Sequence, residues 1–279
     1  MKDVKIFAFA DEASKIIDEQ ILAIKRNGLN GLEIRGVDGE NISDITIKKA
    51  KEVRAKLDAN GLSVWSMGSP IGKIDIDGDF EAHKQKFMHT LELANVLGAK
   101  NLRMFSFFMP KDQNPEQYFN QVVDKLGVLL DIASGTEIEL CHENEKGIYG
   151  DTADRCKKLL TALPKLKAVF DPANFVQCGE DTLNAWDLLK DNVHYMHIKD
   201  ALADGKIVPA DAGEGNVKQI ANEFISLHKN PVFTIEPHLT AFVGLKNLER
   251  EGEESESAFS FADTDAAFDA ACDAFKKLI

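Results

Sequence analysis

The chain has few cysteines, no long apolar run and little positive charge, and each deficit excludes a class of protein. Its four cysteines, Cys141, Cys156, Cys178 and Cys272, are scattered over 279 residues with no C-x-x-C pair. That argues against a zinc ribbon or a disulfide framework and fits a reducing compartment. No apolar run approaches the ~20 residues of a membrane-crossing helix. The opening Met1 to Phe7 enters a strand at once, without the apolar core and cleavage site of a signal peptide. A cytoplasmic location with no membrane partner is therefore expected. Lys plus Arg is 33 against 46 for Asp plus Glu, a net charge of -13. Such a field repels polyanions, and with no basic groove in the sequence, nucleic acid is not an expected partner. Two nucleotide signatures are missing as well. Gly72-Lys73 lacks the spacing of a phosphate-binding P-loop, and Phe9-Ala-Asp-Glu-Ala after the first apolar run is no Gly-rich turn.

What the chain does contain is a regular alternation. Short runs rich in Val, Ile, Phe and Tyr read as strands at Val4–Ala10, Gly31–Gly36, Ser63–Ser69, Lys100–Phe108, Glu137–Asn144, Leu166–Asp171, Asn192–His197 and Pro231–Glu236. Helix-period segments follow them, from Ser14 to Gly28, Ser43 to Gly61, Asp79 to Gly98, Asn114 to Ser134, Asp151 to before Pro164, Thr182 to Lys190, up to His228, and Asp263 to Ile279. Ser43 and Asp151 are the expected N-caps of two of them. Eight strands alternating with eight helices, with no break in composition, predict an α/β fold, a closed (β/α)8 TIM barrel forming one domain over residues 1–279. The charged, Ser-rich stretch from Glu249 to Ser257 reads as a solvated insertion.

Parity along the strands selects the chemistry. Glu143, Asp171, His197 and Glu236 each end one of the last four predicted strands, and strand ends converge on one face of a barrel. Side chains alternate, so Asp171 shares a face with Val169, and His197 shares one with Tyr195 and Val193. His194, three residues away, points to the opposite face. Three carboxylates and an imidazole gathered together would repel one another without a cation. With no thiolate, the set suits one divalent ion, manganese first, with magnesium, cobalt or zinc also compatible. In the second strand Leu32 and Ile34 need the helical layer, which sends Glu33 and Arg35 toward the barrel mouth. His83 and His89, six apart on one helix, read as packing or surface residues. Arg103 lies in an aromatic run, Phe105, Phe107 and Phe108, that reads as core or pocket wall.

The motifs Glu143-Asn144, Phe170-Asp171-Pro172-Ala173-Asn174, His197-Ile198-Lys199-Asp200, Gly213-Glu214-Gly215 and Ile235-Glu236 resemble, in this order, the sugar phosphate isomerase/epimerase group of the xylose isomerase-like TIM barrels. The resemblance implies that Glu143, Asp171, His197 and Glu236 are metal ligands and that Glu143 and Glu236 double as the acid/base pair. Two positions depart from it. Asn174 stands where members often carry a His, and Ala203 where the ketose 3-epimerases carry an Arg, which leaves the substrate and the reaction open. Members akin to endonuclease IV use many more histidines and a basic DNA-facing surface, which this chain lacks.

The expected activity is isomerisation or epimerisation of a small carbohydrate, a sugar or sugar phosphate. A proton is removed next to a metal-bound carbonyl, giving an enediolate steadied by Lys199, Asn174 and Arg35. A dehydratase or lyase acting on a keto sugar or C-glycoside would share the first step. A non-catalytic sugar-binding barrel would have no use for paired bases. A phosphate fits over the backbone amides of Gly213 and Gly215, although Glu214 disfavours it, and a plain turn is the simpler reading. The sequence leaves a homo-oligomer open.

Overall fold

Eight parallel strands close on themselves. The computed structural model describes residues 2–242 and 256–279. In chain order the strands are β1 (Lys5–Ala8), β2 (Gly31–Ile34), an antiparallel hairpin of β3 (Gly36–Val37) and β4 (Glu40–Asn41), β5 (Ser63–Gly68), β6 (Asn101–Met104), β7 (Glu139–Glu143), β8 (Lys167–Phe170), β9 (Val193–Ile198), a second hairpin of β10 (Asp200–Ala201) and β11 (Ile207–Val208), and β12 (Val232–Ile235). The barrel order is β1-β12-β9-β8-β7-β6-β5-β2, closing back onto β1. Around it run α1 (Ile17–Arg26), α2 (Ile47–Ala59), α3 (Phe80–Leu97), α4 (Phe119–Ala133), α5 (Ala153–Ala162), the short α6 (Pro172–Gln177), α7 (Thr182–Leu189), α8 (Val217–Leu227) and α9 (Thr264–Lys276). This is the expected TIM barrel. No described helix is long and apolar enough to cross a membrane.

Local chemistry accounts for most boundaries. Asp79 caps α3 by accepting from the Ala82 amide at 3.0 Å, and Gly98 ends it in the left-handed conformation at φ 75°. Two expected caps are corrected. α2 begins at Ile47, after Thr46, whose hydroxyl accepts from the Lys49 amide at 3.1 Å, while Ser43 is buried upstream. α5 is capped by Thr152, and Asp151 pairs instead with Arg155. The fourth strand stops at Met104. Beyond it the Phe105 amide donates to Ile71 O at 2.8 Å and the Phe107 amide to Gly72 O at 2.9 Å, so the loops after β5 and β6 zip together.

Side-chain alternation divides the barrel into an outer core, packed under the helices, and a small interior cluster of Phe7, Cys141, Val169, Tyr195 and Val232 with Trp65 against it. Two residues further along β7, β8 and β9 from Cys141, Val169 and Tyr195 come Glu143, Asp171 and His197, so the polar layer sits on the apolar one by strand geometry alone. One register expectation fails. The β8–β9 pairing shifts between Ala168 and Val169, and this bulge turns Val193 outward into the helix-facing core while His194 stacks on Trp65 with ring centroids 5.5 Å apart.

The expected insertion at Glu249–Ser257 lies outside the described residues up to position 255. Glu256 and Ala258 continue beside β11, through bonds from the Ile207 amide to Glu256 O at 2.8 Å and from the Ala258 amide to Ile207 O at 2.9 Å.

His83 is a packing residue, as expected, with a definite partner: the Gly72 amide donates to its Nε2 at 2.8 Å. Burial, with Lys86 and Lys125 adding to it, pushes this histidine down to about 4. Between pH ~6.5 and ~4 the unfolded chain therefore takes up a proton that the folded chain refuses, and stability falls as pH falls through that window. About 2 kcal/mol is expected to be lost from this residue after allowance for partial solvent screening. Urea midpoints at pH 7 and pH 4.5 check this: His83→Gln should lose less on acidification than the parent protein, and equal losses would contradict it.

Candidate metal centre at the carboxyl ends of the strands

Glu143, Asp171, His197 and Glu236 meet at the mouth of the barrel. All four are buried, and one donor atom from each lies within 4.8 Å of the others. The Nδ1 of His197 is the hub, 2.8 Å from Glu143 Oε1, 3.4 Å from Glu236 Oε2 and 4.0 Å from Asp171 Oδ2. Asp171 serves two structures at once. Its Oδ1 accepts from the Asn174 amide at 3.0 Å and so caps α6, which leaves Oδ2 for the site. Its backbone is clamped by Asn144, which accepts from the Asp171 amide and donates to Asp171 O, both at 2.9 Å.

A second set of side chains orients these four. Glu33 lies inside the barrel, fully buried, and its Oε2 sits 3.0 Å from His197 Nε2, while Tyr195 donates to its Oε1 at 2.8 Å. Carboxylate on Nε2 leaves Nδ1 facing the cluster, the arrangement that fixes ring and tautomer of a metal-bound histidine. Arg103 pairs with Glu143 Oε2 at 2.7 Å and lies over the ring of Phe105, 4.6 Å from its centroid. Arg35 joins Glu236 Oε1 at 2.9 Å to Asp11 and Glu12, with its guanidinium over Phe9 at 4.3 Å. Lys199 lies 3.0 Å from Asp171 Oδ2 and 3.1 Å from Glu236 Oε2. The Lys199–Asp171 approach is off the direction of a hydrogen bond, so Asp171 Oδ2 accepts none despite being buried.

Burial pushes Asp171 up to about 7; Lys199 opposes this, and Glu236 and Glu143 add to it. Burial pushes His197 down, but Glu143 and Glu33 outweigh it and hold the imidazole charged well above its ordinary range. Glu143 and Glu236 are also raised by burial; His197 and Arg103 bring the first below the usual carboxylate range, and Lys199 and His238 the second. The donor set thus collects whatever positive charge is at hand. A divalent ion fits it: three carboxylates and an imidazole nitrogen converge, and one buried oxygen, Asp171 Oδ2, has no hydrogen bond to lose.

The expected substrate contacts all reach this region, with their donors largely engaged. Asn174 donates to Asn144 O at 2.8 Å and to Glu143 Oε1 at 3.4 Å. Arg35 spends its donors on Asp11, Glu12 and Glu236, and Lys199 is shared between Asp171 and Glu236. The loop at Gly213 and Gly215 forms no phosphate cradle. The amides of Gly213 and Gly215 donate to the Asp200 carboxylate at 3.0 and 2.8 Å, and a Cβ on Gly213 would lie 2.5 Å from that same carboxylate. The simpler reading, a turn, holds there.

Sequence reasoning missed three site residues. Glu12 sits in a 3-10 turn after β1, where no strand parity applies. Arg103 stood in a run of aromatics that read as wall. His238 lies two residues beyond Glu236 with a positive φ of 45°; its Nε2 is buried without a hydrogen-bond partner, 3.4 Å from both Glu12 Oε1 and Glu236 Oε1. Its parity with Glu236 was the available signal.

Removing the charge of Glu33 tests this second set of contacts. Glu33→Gln should weaken divalent-ion affinity by about 10- to 100-fold without unfolding the barrel. Calorimetric titration with manganese checks it, and unchanged affinity would contradict the orienting role.

Residues 21–253 match the model of the xylose isomerase-like TIM barrel, and the chain belongs to that family. No curated protein sequence matches it. Among solved structures it is similar to the probable 3-DHS dehydratase AsbF from Bacillus anthracis, with 17% identity, TM-score 0.73 and 99% of each chain covered. It is similar to the 3-keto-D-glucoside 4-epimerase YcjR from E. coli, with 17% identity, TM-score 0.67 and 99% of each chain covered. A third likeness is to the IOLI protein with a bound zinc atom, with 12% identity, TM-score 0.73, and 100% of this chain and 98% of that one covered. At such identities the likeness is one of fold.

Proposed function

We propose that the chain is a divalent-metal-dependent isomerase or epimerase of a small keto sugar, working by proton transfer next to a carbonyl. The observation that carries this reading is the convergence of Glu143, Asp171, His197 and Glu236 within 4.8 Å. These four would hold the ion, His197 through Nδ1, and the absence of a thiolate among them favours manganese, with magnesium, cobalt and zinc as lesser fits. When bound, such an ion supplies Lewis acidity that makes the C–H beside a carbonyl easier to deprotonate. Glu143 and Glu236 are the proposed acid/base pair. They stand at the carboxyl ends of β7 and β12, separated in the barrel by β8 and β9, and so address a substrate from different sides. Lys199, Arg35 and Asn174 are the proposed substrate contacts, and Arg35 and Lys199 also hold Glu236 in place.

A second reading, a dehydratase or lyase on a keto sugar, shares the first proton transfer. His238 favours it: a buried ring nitrogen with no hydrogen-bond partner, 3.4 Å from Glu236, is placed to hydrogen-bond a departing hydroxyl, while burial holds the ring neutral. A keto-sugar panel with added manganese, analysed by product mass and stereochemistry, separates the two. Unchanged mass with an inverted or shifted centre supports isomerase or epimerase, loss of water or of a glycosyl group supports the second reading, and no product from any keto sugar contradicts both.

A further inference from the structure

We infer that the substrate is an uncharged polyhydroxy carbonyl compound and that its phosphate esters are refused; this rests on the proposed function and names the substrate class of that site. The cations described at the mouth of the barrel are each already held by carboxylates. Arg35 is bound by Asp11, Glu12 and Glu236 at 2.9 Å, Arg103 by Glu143 at 2.7 Å, Lys199 by Asp171 and Glu236 at 3.0 and 3.1 Å, and Lys73 by Glu145 at 3.0 Å. A phosphoryl group entering here competes with those carboxylates, and drawing a cation away leaves a carboxylate buried without a partner, a costly exchange in a dry site; Arg103, engaged through Nη1, keeps one buried donor, Nε, without a hydrogen-bond partner.

The charge balance points the same way. Six carboxylates, Asp11, Glu12, Glu33, Glu143, Asp171 and Glu236, surround four cationic side chains, Arg35, Arg103, Lys199 and His197, apart from the Lys73–Glu145 pair. The carboxylates therefore outnumber the cations by two before any ion binds. A phosphate dianion would deepen that excess, whereas hydroxyl groups can donate to the same oxygens. Outside, the cavity beside Glu12 is lined by Glu19, Asp263 and Asp265 against Lys15 and Arg26, the latter paired with Asp265 and Asp269, so carboxylates still outnumber cations there. Finally, the loop that most resembles a phosphate cradle has its Gly213 and Gly215 amides turned onto Asp200.

The test compares manganese-loaded protein in heavy water with matched probes, D-fructose and D-tagatose against their 6-phosphates, reading solvent deuterium gained at carbon. The free sugars should exchange at least about a hundredfold faster in kcat/KM than the esters. Equal or faster exchange of an ester overturns the inference. If no sugar exchanges, the proposed function fails, and the charge preference is read from a second arm that needs no turnover. Inorganic phosphate, against sodium chloride of matched ionic strength, should leave the melting temperature of metal-stripped protein unchanged. A saturable rise there would reveal a phosphate site of the chain's own and overturn the inference by itself.

Discussion

Glu143→Gln and Glu236→Gln should each abolish the wash-in of solvent deuterium at the carbon next to the substrate carbonyl while leaving the barrel folded. A positioned general base contributes about 10²–10⁴-fold, and losses of that order are expected in turnover. The reason lies in where the two carboxylates stand. Glu143 offers Oε1 to His197 and Oε2 to Arg103, and Glu236 offers Oε2 to Lys199 and Oε1 to Arg35. Both are therefore fixed in orientation and ionised, with proton affinity below that of a free carboxylate. A weak base can still act if the C–H it attacks is acidified in the same site. Since either residue also belongs to the proposed ligand set, metal content has to be measured on each variant. Only a variant that retains metal and loses exchange supports the acid/base role. Rapid turnover of the parent enzyme with no solvent exchange would assign the reaction to hydride transfer between carbons and remove both glutamates from this role.

Asp200→Ala should be the most destabilising single change near the site that touches no proposed ligand. Asp200 is fully buried and accepts from the amides of Ala201, Gly213 and Gly215 at 2.8, 3.0 and 2.8 Å. Truncation leaves those donors unsatisfied at about 1–3 kcal/mol each, offset by relief of carboxylate burial, for a net cost of about 3 kcal/mol. For a chain of this size that corresponds to a melting temperature lower by about 5 °C. Hydrogen exchange at Gly213 and Gly215 should accelerate in the same variant. The change reaches the site as well, because Asp200 follows Lys199 directly and its loop fixes where that ammonium stands. A loss under about 2 °C, with Gly213 and Gly215 still protected, would show that the loop does not depend on this carboxylate.

The parts of the site legible in the sequence are those governed by period-two alternation. Glu143, Asp171, His197 and Glu236 could be found because each follows an apolar strand with the inward parity, and Glu33 and Arg35 because Leu32 and Ile34 must face the helices. Legibility ends where that rule does. The bulge between β8 and β9 inserts one residue, so Val193 and His194 exchange the faces that strict alternation assigns. Glu12 is brought in by a single turn of 3-10 helix, and Arg103 by ion pairing with Glu143, a contact between residues 40 positions apart. The helix α6 was unreadable for a related reason: Asp171 acts both as a strand-end carboxylate and as the N-cap that starts it, with Pro172 as the first helical residue. Gly213 and Gly215 look alike in a phosphate cradle and in a turn closed on a carboxylate, and only the direction of their amides separates the two.

The central claim is that these four strand ends form one metal centre, and metal content measures it most directly. Protein purified without chelator and analysed for elements should carry about one equivalent of a divalent metal, and His197→Ala should lose most of it while keeping the parent's circular dichroism. Full occupancy in His197→Ala would contradict the centre described here.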